Sequence, residues 1–457
     1  MAIGAAVVLA GGAGTRMWPF ADVRSKCAMP VANIPNVRRI ADALGASEIG
    51  RIAVVVGPHA GSVRHALYGW PGEVRFVPQP PGGGTAGAAL AGIEALDGSD
   101  DLLVVYGDTV TTGANLRAVG AAIESGADAA VLCDPMPAGD GGLWYAAETD
   151  GAVLRRIVGH DADARVRACG VVAVRRGFAR CLEANPGRML AVPVGGMPPS
   201  EPDLTQSLND CGGALAAVAA ADFVVDMDKP WHVLEANQRM GAHLTGRLEA
   251  DDVHPSARVH DGAEIDGHLV VGEGSVVGRR VVVNGNAIVG RGTRVVNGAI
   301  LHGANVIGDR CRIRDYCLLG ERAIVGNDCI VGHGAELDGV MFDGAYLYHY
   351  CEISGVVGAS VDIGAATVCG TLRFDDGLAE HRVARRRERP ALGANATYFG
   401  DHSRTGVNAV TMPGARIGAY ACLGAGVVLT GDLPSRTLLL LKQETVQRPW
   451  GPERYGW

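Results

Sequence analysis

Two rhythms of apolar residues divide the chain. Up to about residue 245, short apolar runs (Ala5 to Leu9, Ile52 to Val56, Val74 to Val77, Leu102 to Tyr106, Val171 to Val174) alternate with stretches of helical periodicity such as Val37 to Leu44, Thr85 to Leu96 and Leu116 to Glu124. Runs this short, bounded by turn residues, read as buried strands, and strands alternating with helices predict an α/β domain with a mostly parallel sheet. From Val253 an aliphatic residue recurs every six positions, through Val259, Ile265, Val271 and onward to Val331 and Leu337, often with Gly directly after it and a small residue such as Ala257, Ser275 or Thr293 two positions before it. This hexad predicts a parallel β-helix, in which three short strands make a triangular coil and each aliphatic side chain stacks inward on the next coil. Glycine supplies the turn conformation that other residues resist.

The hexad breaks at Gly339 to Tyr350 and resumes at Val357, Ile363, Phe399, Ile417 and Leu423. A second break, Thr371 to Pro390, is polar and Arg-rich and is expected to leave the coil as a protruding loop. The expected organisation is a first domain over 1–245, a β-helix over 246–432 with an inserted loop at 371–390, and a tail over 433–457. Trp231 to Leu244 reads as a helix joining the first two.

Composition narrows the function. The 457 residues are 48% hydrophobic with a formal charge of -8, which describes a folded, multi-domain protein. No basic run suits nucleic acid, and no apolar stretch is long enough to span a bilayer, so the expected partners are small molecules rather than nucleic acid or membrane. The apolar start reads as a strand rather than a signal peptide, and eleven cysteines without CxxC spacing suggest reduced thiols in a cytoplasmic protein, without a disulfide framework. Cys311, Cys317 and Cys329 occupy the small position of the hexad and read as core residues. Of the 41 basic residues only three are lysines, Lys26, Lys229 and Lys442, so a lysine in a plausible site stands out.

The first strand runs into Leu9-Ala10-Gly11-Gly12-Ala13-Gly14-Thr15-Arg16, with Lys26 ten residues later. Glycines let backbone N–H groups approach phosphate oxygens, and Arg and Lys place positive charge where pyrophosphate must leave. The dinucleotide GxGxxG fingerprint and the Walker GK[ST] ending are both absent. Further along stand Lys26-Cys27-Ala28-Met29-Pro30-Val31, Gln79-Pro80-Pro81-Gly82-Gly83-Gly84-Thr85-Ala86, Tyr106-Gly107-Asp108 and Val225-Asp226-Met227-Asp228-Lys229-Pro230-Trp231. In this order the segments resemble the sugar-1-phosphate nucleotidylyltransferases. The resemblance implies a nucleotide site at Leu9, Gly11, Gly12, Gly14, Thr15, Gln79, Gly84 and Thr85. It implies catalytic roles for Arg16, Lys26 and Asp108, and a Mg²⁺ site at Asp108 and Asp226. Lys229 reads as a turn residue. Gln79 and Gly84 keep the spacing with which relatives read a pyrimidine, which implies UTP or dTTP as donor.

The chain departs from that family in three places. Cys27 stands where relatives have Pro. Gly159-His160 stands where relatives carry a Glu, and Ala168-Cys169-Gly170 lacks the usual Asn, which implies an unusual sugar or cyclitol phosphate or a weakened sugar site. His160 is open to two readings, a phosphate contact or a surface histidine.

The hexad region resembles the acyltransferase half of bifunctional uridylyltransferase/acetyltransferases and their archaeal-type relatives, above all at Leu372-Arg373-Phe374-Asp375-Asp376 and from Thr405 to Gly414. This implies a Rossmann-like nucleotidyltransferase domain followed by a left-handed parallel β-helix that assembles homotrimers. Acetyl-CoA is then a second substrate and His349 the candidate acetyltransferase base, although a gap-free alignment from Ile363 puts Tyr348 at that position. Arg385, Arg386 and Arg387 would meet coenzyme A phosphates or form a solvated loop that reaches a neighbouring subunit. Three classes follow: a nucleotidylyltransferase acting on a nucleoside triphosphate and a sugar 1-phosphate with the β-helix as scaffold, a bifunctional enzyme, and a catalytically silent regulatory subunit.

Overall fold

The computed structural model describes residues 3–98, 101–137, 142–159, 161–190, 201–384 and 386–452. The N-terminal part is built on a nine-stranded sheet in the order Glu73–Pro78, Arg51–Val56, Ile3–Ala10, Asp101–Tyr106, Val166–Val174, Ala129–Pro135, Leu215–Ala219, Val153–Gly159, Tyr145–Asp150. Helices Asn36–Gly45, Gly84–Glu94 and Gly113–Glu124 cover its faces, burying two apolar clusters. The first four strands of the order are parallel, as the apolar runs predict. The rest is not: Val166–Val174 runs antiparallel to both neighbours, and Val153–Gly159 does the same. Half of the neighbouring pairs are therefore antiparallel, which corrects the expectation of a mostly parallel sheet. The strands that the apolar pattern passed over are partly solvated; Tyr145–Asp150 has a fully exposed second half and Val153–Gly159 exposes Val153, Arg155 and Arg156 in its first half.

In the hexad region, as far as Leu319, each strand pairs in parallel with the strand 18 residues later, as in Val253 with Val271, Val259 with Val277 and Ile265 with Val283. Three strands make one turn, and the aliphatic column fills a continuous core from Leu269 to Leu433. The small column does more than fit the corner. Ser275 Oγ donates to Gly290 O (2.6 Å) while accepting from Thr293 N–H (2.9 Å), and Thr293 Oγ1 does the same with Gly308 O (2.7 Å) and Cys311 N–H (2.9 Å). Cys311 and Cys317 continue the pattern by donating to Gly326 O (2.9 Å) and Gly332 O (2.8 Å).

Gly339 to Tyr350 does not interrupt the coil. Between Leu337 and Met341, and again between Ile353 and Val357, one corner loses two residues, and the strand offset falls to 16. Gly339 (φ 143°) and Gly355 (φ 134°) make the shorter corner possible, and a Cβ on Gly339 would run into the Gly355 carbonyl. Met341, Leu347 and Ile353 stay buried, so the core passes through unbroken.

The inserted loop also differs from expectation. It forms an antiparallel hairpin, His381–Val383 with Arg386–Glu388, that folds back onto its own chain. His381 packs on Trp231 with ring centroids 5.0 Å apart, and Val383 joins the apolar cluster around helix Pro230–Thr245. That helix starts at Pro230, the position proline favours, and buries Trp231, Val233, Leu234 and Met240. Its cluster spans both halves of the chain, from Met17, Phe20 and Met29 to Ile324, Phe342 and Tyr398. Trp18 Nε1 donates to Ser435 Oγ (3.2 Å), Arg24 pairs with Asp401, and Asn33 donates to Val325 O (2.8 Å).

One further difference concerns the thiols. Cys181, within helix Ala179–Glu183, and Cys211, directly after helix Leu204–Asp210, are joined in a disulfide with Cα atoms 5.5 Å apart, which corrects the expectation of reduced cysteines throughout. Packing of helix Ala179–Glu183 near Leu204–Asp210 brings together two residues 30 positions apart, a proximity that no local spacing reports. Among the described residues no helix is long and apolar enough to cross a membrane.

Candidate active site

The parallel strands Ile3–Ala10 and Asp101–Tyr106 end side by side, with Leu9 opposite Tyr106, and a cavity of about 500 Å³ opens beyond their C-terminal ends. Ligand sites of open α/β sheets lie at this edge. Leu9, Gly11, Gly12, Arg16, Lys26, Gln79, Gly84, Thr85, Asp108 and Asp226 all line the cavity. Gly14 and Thr15 belong to the same turn but are set back from the lining, Gly14 taking the left-handed conformation (φ 66°) from which Thr15–Met17 starts. Gly84, also left-handed, leaves no room for a Cβ against the Pro202 carbonyl, and Thr85 Oγ1 accepts from Leu204 N–H at 2.8 Å. These two residues thus tie their side of the cavity to the segment Pro202–Leu204.

Asp108 and Asp226 meet because two short strands pair antiparallel, Thr109 opposite Asp226, with Met227 N–H donating to Asp108 O at 3.0 Å. Asp108 forms an ion pair with Lys26. Burial works against the Lys26 ammonium, but the fields of Asp108 and Asp228 and the hydrogen bond to Asp108 outweigh it and raise its pKa above the usual lysine value. Asp226 accepts from Thr109 Oγ1 (2.7 Å), and its carboxyl stands above the ordinary value because of burial and the nearby Asp108, with Arg167 working the other way. Two carboxylates with free oxygen lone pairs fit a hard cation that keeps several waters and takes the rest of its ligands from phosphate. Among the described residues no group of three or more His, Cys, Asp or Glu side chains converges on a metal position, so such a site would depend on the substrate to complete it.

Several residues of the site escaped the sequence reading. Arg167, 4% exposed, reaches Asp134 (2.9 Å), Val224 O (2.9 Å) and Asp226 (3.5 Å) and lies over the Trp144 ring. Its only signal was an arginine at the start of an otherwise apolar strand. Asp228 holds Arg16 at 2.9 Å. Lys229 is no mere turn residue: it is 3% exposed, lies between Asp228 (3.6 Å) and Glu388 (3.1 Å), and faces the rings of Trp144 and Trp231. His232, which accepts from Asp228 N–H (3.1 Å), is held neutral, its pKa pushed well below normal by burial and by Lys229 and Arg167.

The far end of the cavity is lined by Trp144, Tyr145, Ala168, Cys169, Gly170, Glu201 and Asp203. Although the strand end after Val158 brings no Glu, two other carboxylates are present. Asp203 accepts from Tyr145 Oη (2.7 Å) and caps helix Leu204–Asp210 through Thr205 N–H (2.9 Å). Cys27, in place of a proline, is buried, with its thiol pushed up to about 12 by burial, and acts as filler beneath Gly107. His160 and Arg385 lie outside the described residues. The structure does not bring His349 to this cavity; it sits exposed on a β-helix corner, its ring 6.5 Å from that of His333.

Residues 6–250 match the family model of the MobA-like NTP transferase domain. Over 96% of its length the chain is 24% identical to the bifunctional protein GlmU of Methanococcus maripaludis, covering 98% of that protein. A stretch of 129 residues, 28% of each chain, is 38% identical to the bifunctional protein GlmU of Agrobacterium fabrum. Another of 105 residues, 22% of this chain and 26% of the relative, is 30% identical to a bifunctional sugar-1-phosphate nucleotidylyltransferase/acetyltransferase of Sulfurisphaera tokodaii. With more than half of its length under that family model, and in accord with the motifs from Leu9 to Trp231, the chain belongs to the MobA-like NTP transferase family.

Proposed function

We propose that the chain transfers a nucleotidyl group from a nucleoside triphosphate, UTP or dTTP, to a sugar 1-phosphate or related phosphate, releasing pyrophosphate. The observation that carries this reading is the gathering of Arg16, Lys26, Asp108 and Asp226 around one cavity together with Gly11 and Gly12. Asp108 and Asp226 would hold Mg²⁺, which when bound neutralises charge on the phosphates. Backbone N–H groups of Gly11 and Gly12 cradle the triphosphate, Gln79 reads the pyrimidine edge, and Arg16 and Lys26 stabilise charge as the sugar phosphate oxygen attacks the α-phosphorus in line. Glu201 and the Asp203–Tyr145 pair face the acceptor and supply the hydroxyl partners that the usual Glu would give.

Pyrophosphate release from a matrix of nucleoside triphosphates and sugar or cyclitol 1-phosphates tests this. Turnover with UTP or dTTP is the expected result; a strong purine preference refutes the base assignment, and no release with any pair returns the chain to the silent-subunit reading.

A second reading rests on the full-length similarity to a protein named bifunctional: the hexad region, as a left-handed β-helix in a cytoplasmic homotrimer, also acetylates an amino sugar 1-phosphate from acetyl-CoA. His349 is the candidate base, flanked by His333 and Tyr348 on an exposed corner. Acetyl-CoA consumption with glucosamine or galactosamine 1-phosphate should be lost in His349→Ala; no consumption by wild type leaves the β-helix as scaffold. Light scattering that reports a monomer counts against the trimer.

A further inference from the structure

A chain of charges links the β-helix insertion to the glycine turn. Glu388 Oε2 lies 3.1 Å from Lys229 Nζ, Lys229 lies 3.6 Å from Asp228 Oδ2, and the other oxygen of Asp228 lies 2.9 Å from Arg16. Glu388 and Lys229 are 11% and 4% exposed in their side chains, so neither charge can be left to water. The hairpin that carries Glu388 is firmly seated. Its cross-strand partner His381 is 2% exposed, donates its Nε2–H to Ala394 O (2.7 Å) and packs on Trp231.

We propose that Glu388 is a positioning residue for nucleotidyl transfer, acting on Arg16 through Lys229 and Asp228; this rests on the nucleotidyl-transfer reading. Asp228 serves two cations. With Glu388 in place, Lys229 takes its closer partner from the hairpin and leaves Asp228 to fix the guanidinium of Arg16, which is otherwise 56% exposed and free to swing. Without Glu388, the buried ammonium has Asp228 as its remaining carboxylate among the described residues, and Arg16 loses its anchor. The β-helix thereby contributes a residue to a site whose other described parts come from the first 232 residues.

The test uses the full-length protein with two readouts, steady-state pyrophosphate release and the rate at which phenylglyoxal modifies Arg16, mapped by mass spectrometry. Glu388→Gln should lower kcat about tenfold with KM for the triphosphate within about twofold, as misplacing one catalytic group does. Arg16 should be modified several-fold faster. Glu388→Asp should restore part of both, and Lys229→Met with Glu388→Gln should recover both, since no ammonium then competes for Asp228. Unchanged Arg16 reactivity in Glu388→Gln overturns the proposal, even if activity and melting temperature both fall, because that combination describes a structural role only. A Glu388→Gln protein that fails to fold shifts the decision to the other two variants, and a double variant no better than Glu388→Asp also overturns it. Wild type that releases no pyrophosphate defeats the nucleotidyl-transfer reading, while Arg16 labelling still decides the network.

Discussion

At the scale of single residues, the cavity concentrates charge that is paired before substrate arrives. Replacing Asp108 or Asp226 by Ala should abolish turnover while the circular dichroism spectrum stays native; near-normal activity in Asp108→Ala would contradict the metal assignment. Arg16→Ala and Lys26→Ala should each cost on the order of 100-fold in kcat, the scale of losing one preorganised charge-stabilising donor. His232 predicts a pH dependence whose sign is fixed by its lowered pKa. The unfolded imidazole takes up a proton near pH 6.5 and the folded one resists it, so stability is fully present above that pH and declines as pH falls below it. Melting temperature measured from pH 7.5 to 5 should therefore fall less steeply in His232→Asn than in wild type. That Asp108, Lys26 and Arg16 share one cavity was legible because their segments stand in the order of a known family's motifs around a glycine turn. Lys229 and Arg167 were not, since their partners lie on distant segments: Glu388 is on another unit, and Asp134 and Asp226 are on separate strands.

Secondary elements were legible where one face is continuously apolar. The hexad gives each coil one inward aliphatic per side, and that alone placed most of the β-helix. Its shortened corners were not legible, because Met341 arrives four residues after Leu337 and breaks the count while keeping the core. Tyr145–Asp150 carries no apolar run because half of it faces solvent. The corner column makes a prediction of its own. Thr293 Oγ1 both donates and accepts within the buried corner, so Thr293→Val, nearly isosteric, should cost about 1–3 kcal/mol in urea unfolding by leaving the Gly308 carbonyl and Cys311 N–H unpaired. Thr293→Ser, which keeps the hydroxyl, should cost clearly less; equal losses would assign the effect to packing.

For the whole molecule, the division into two rhythms was legible but the shared core between them was not. Hydrophobic periodicity assigns Met17, Phe20 and Met29 to no face of a helix or strand, yet all three are fully buried against helix Pro230–Thr245 and the β-helix residues Ile324, Phe342 and Tyr398. A chain cut at residue 245 should expose this apolar surface and bind a hydrophobic dye, with pyrophosphate release lost although every residue proposed to touch substrate remains. A soluble, fully active 1–245 fragment would show that the first unit stands alone.

The seating of the glycine turn against the last coils has a consequence in time. Trp18 and Asp22 meet Ser435, and Arg24 meets Asp401, contacts that join residues 377 to 417 positions apart. During synthesis the segment bearing Arg16 leaves the ribosome long before Asp401 and Ser435, which brace the residues that follow it. Until those coils emerge, the turn stays unbraced. Termination before Asp401 should yield a product that keeps every residue proposed to touch substrate but lacks this bracing, so the late coils act as a delayed lock on a segment made much earlier.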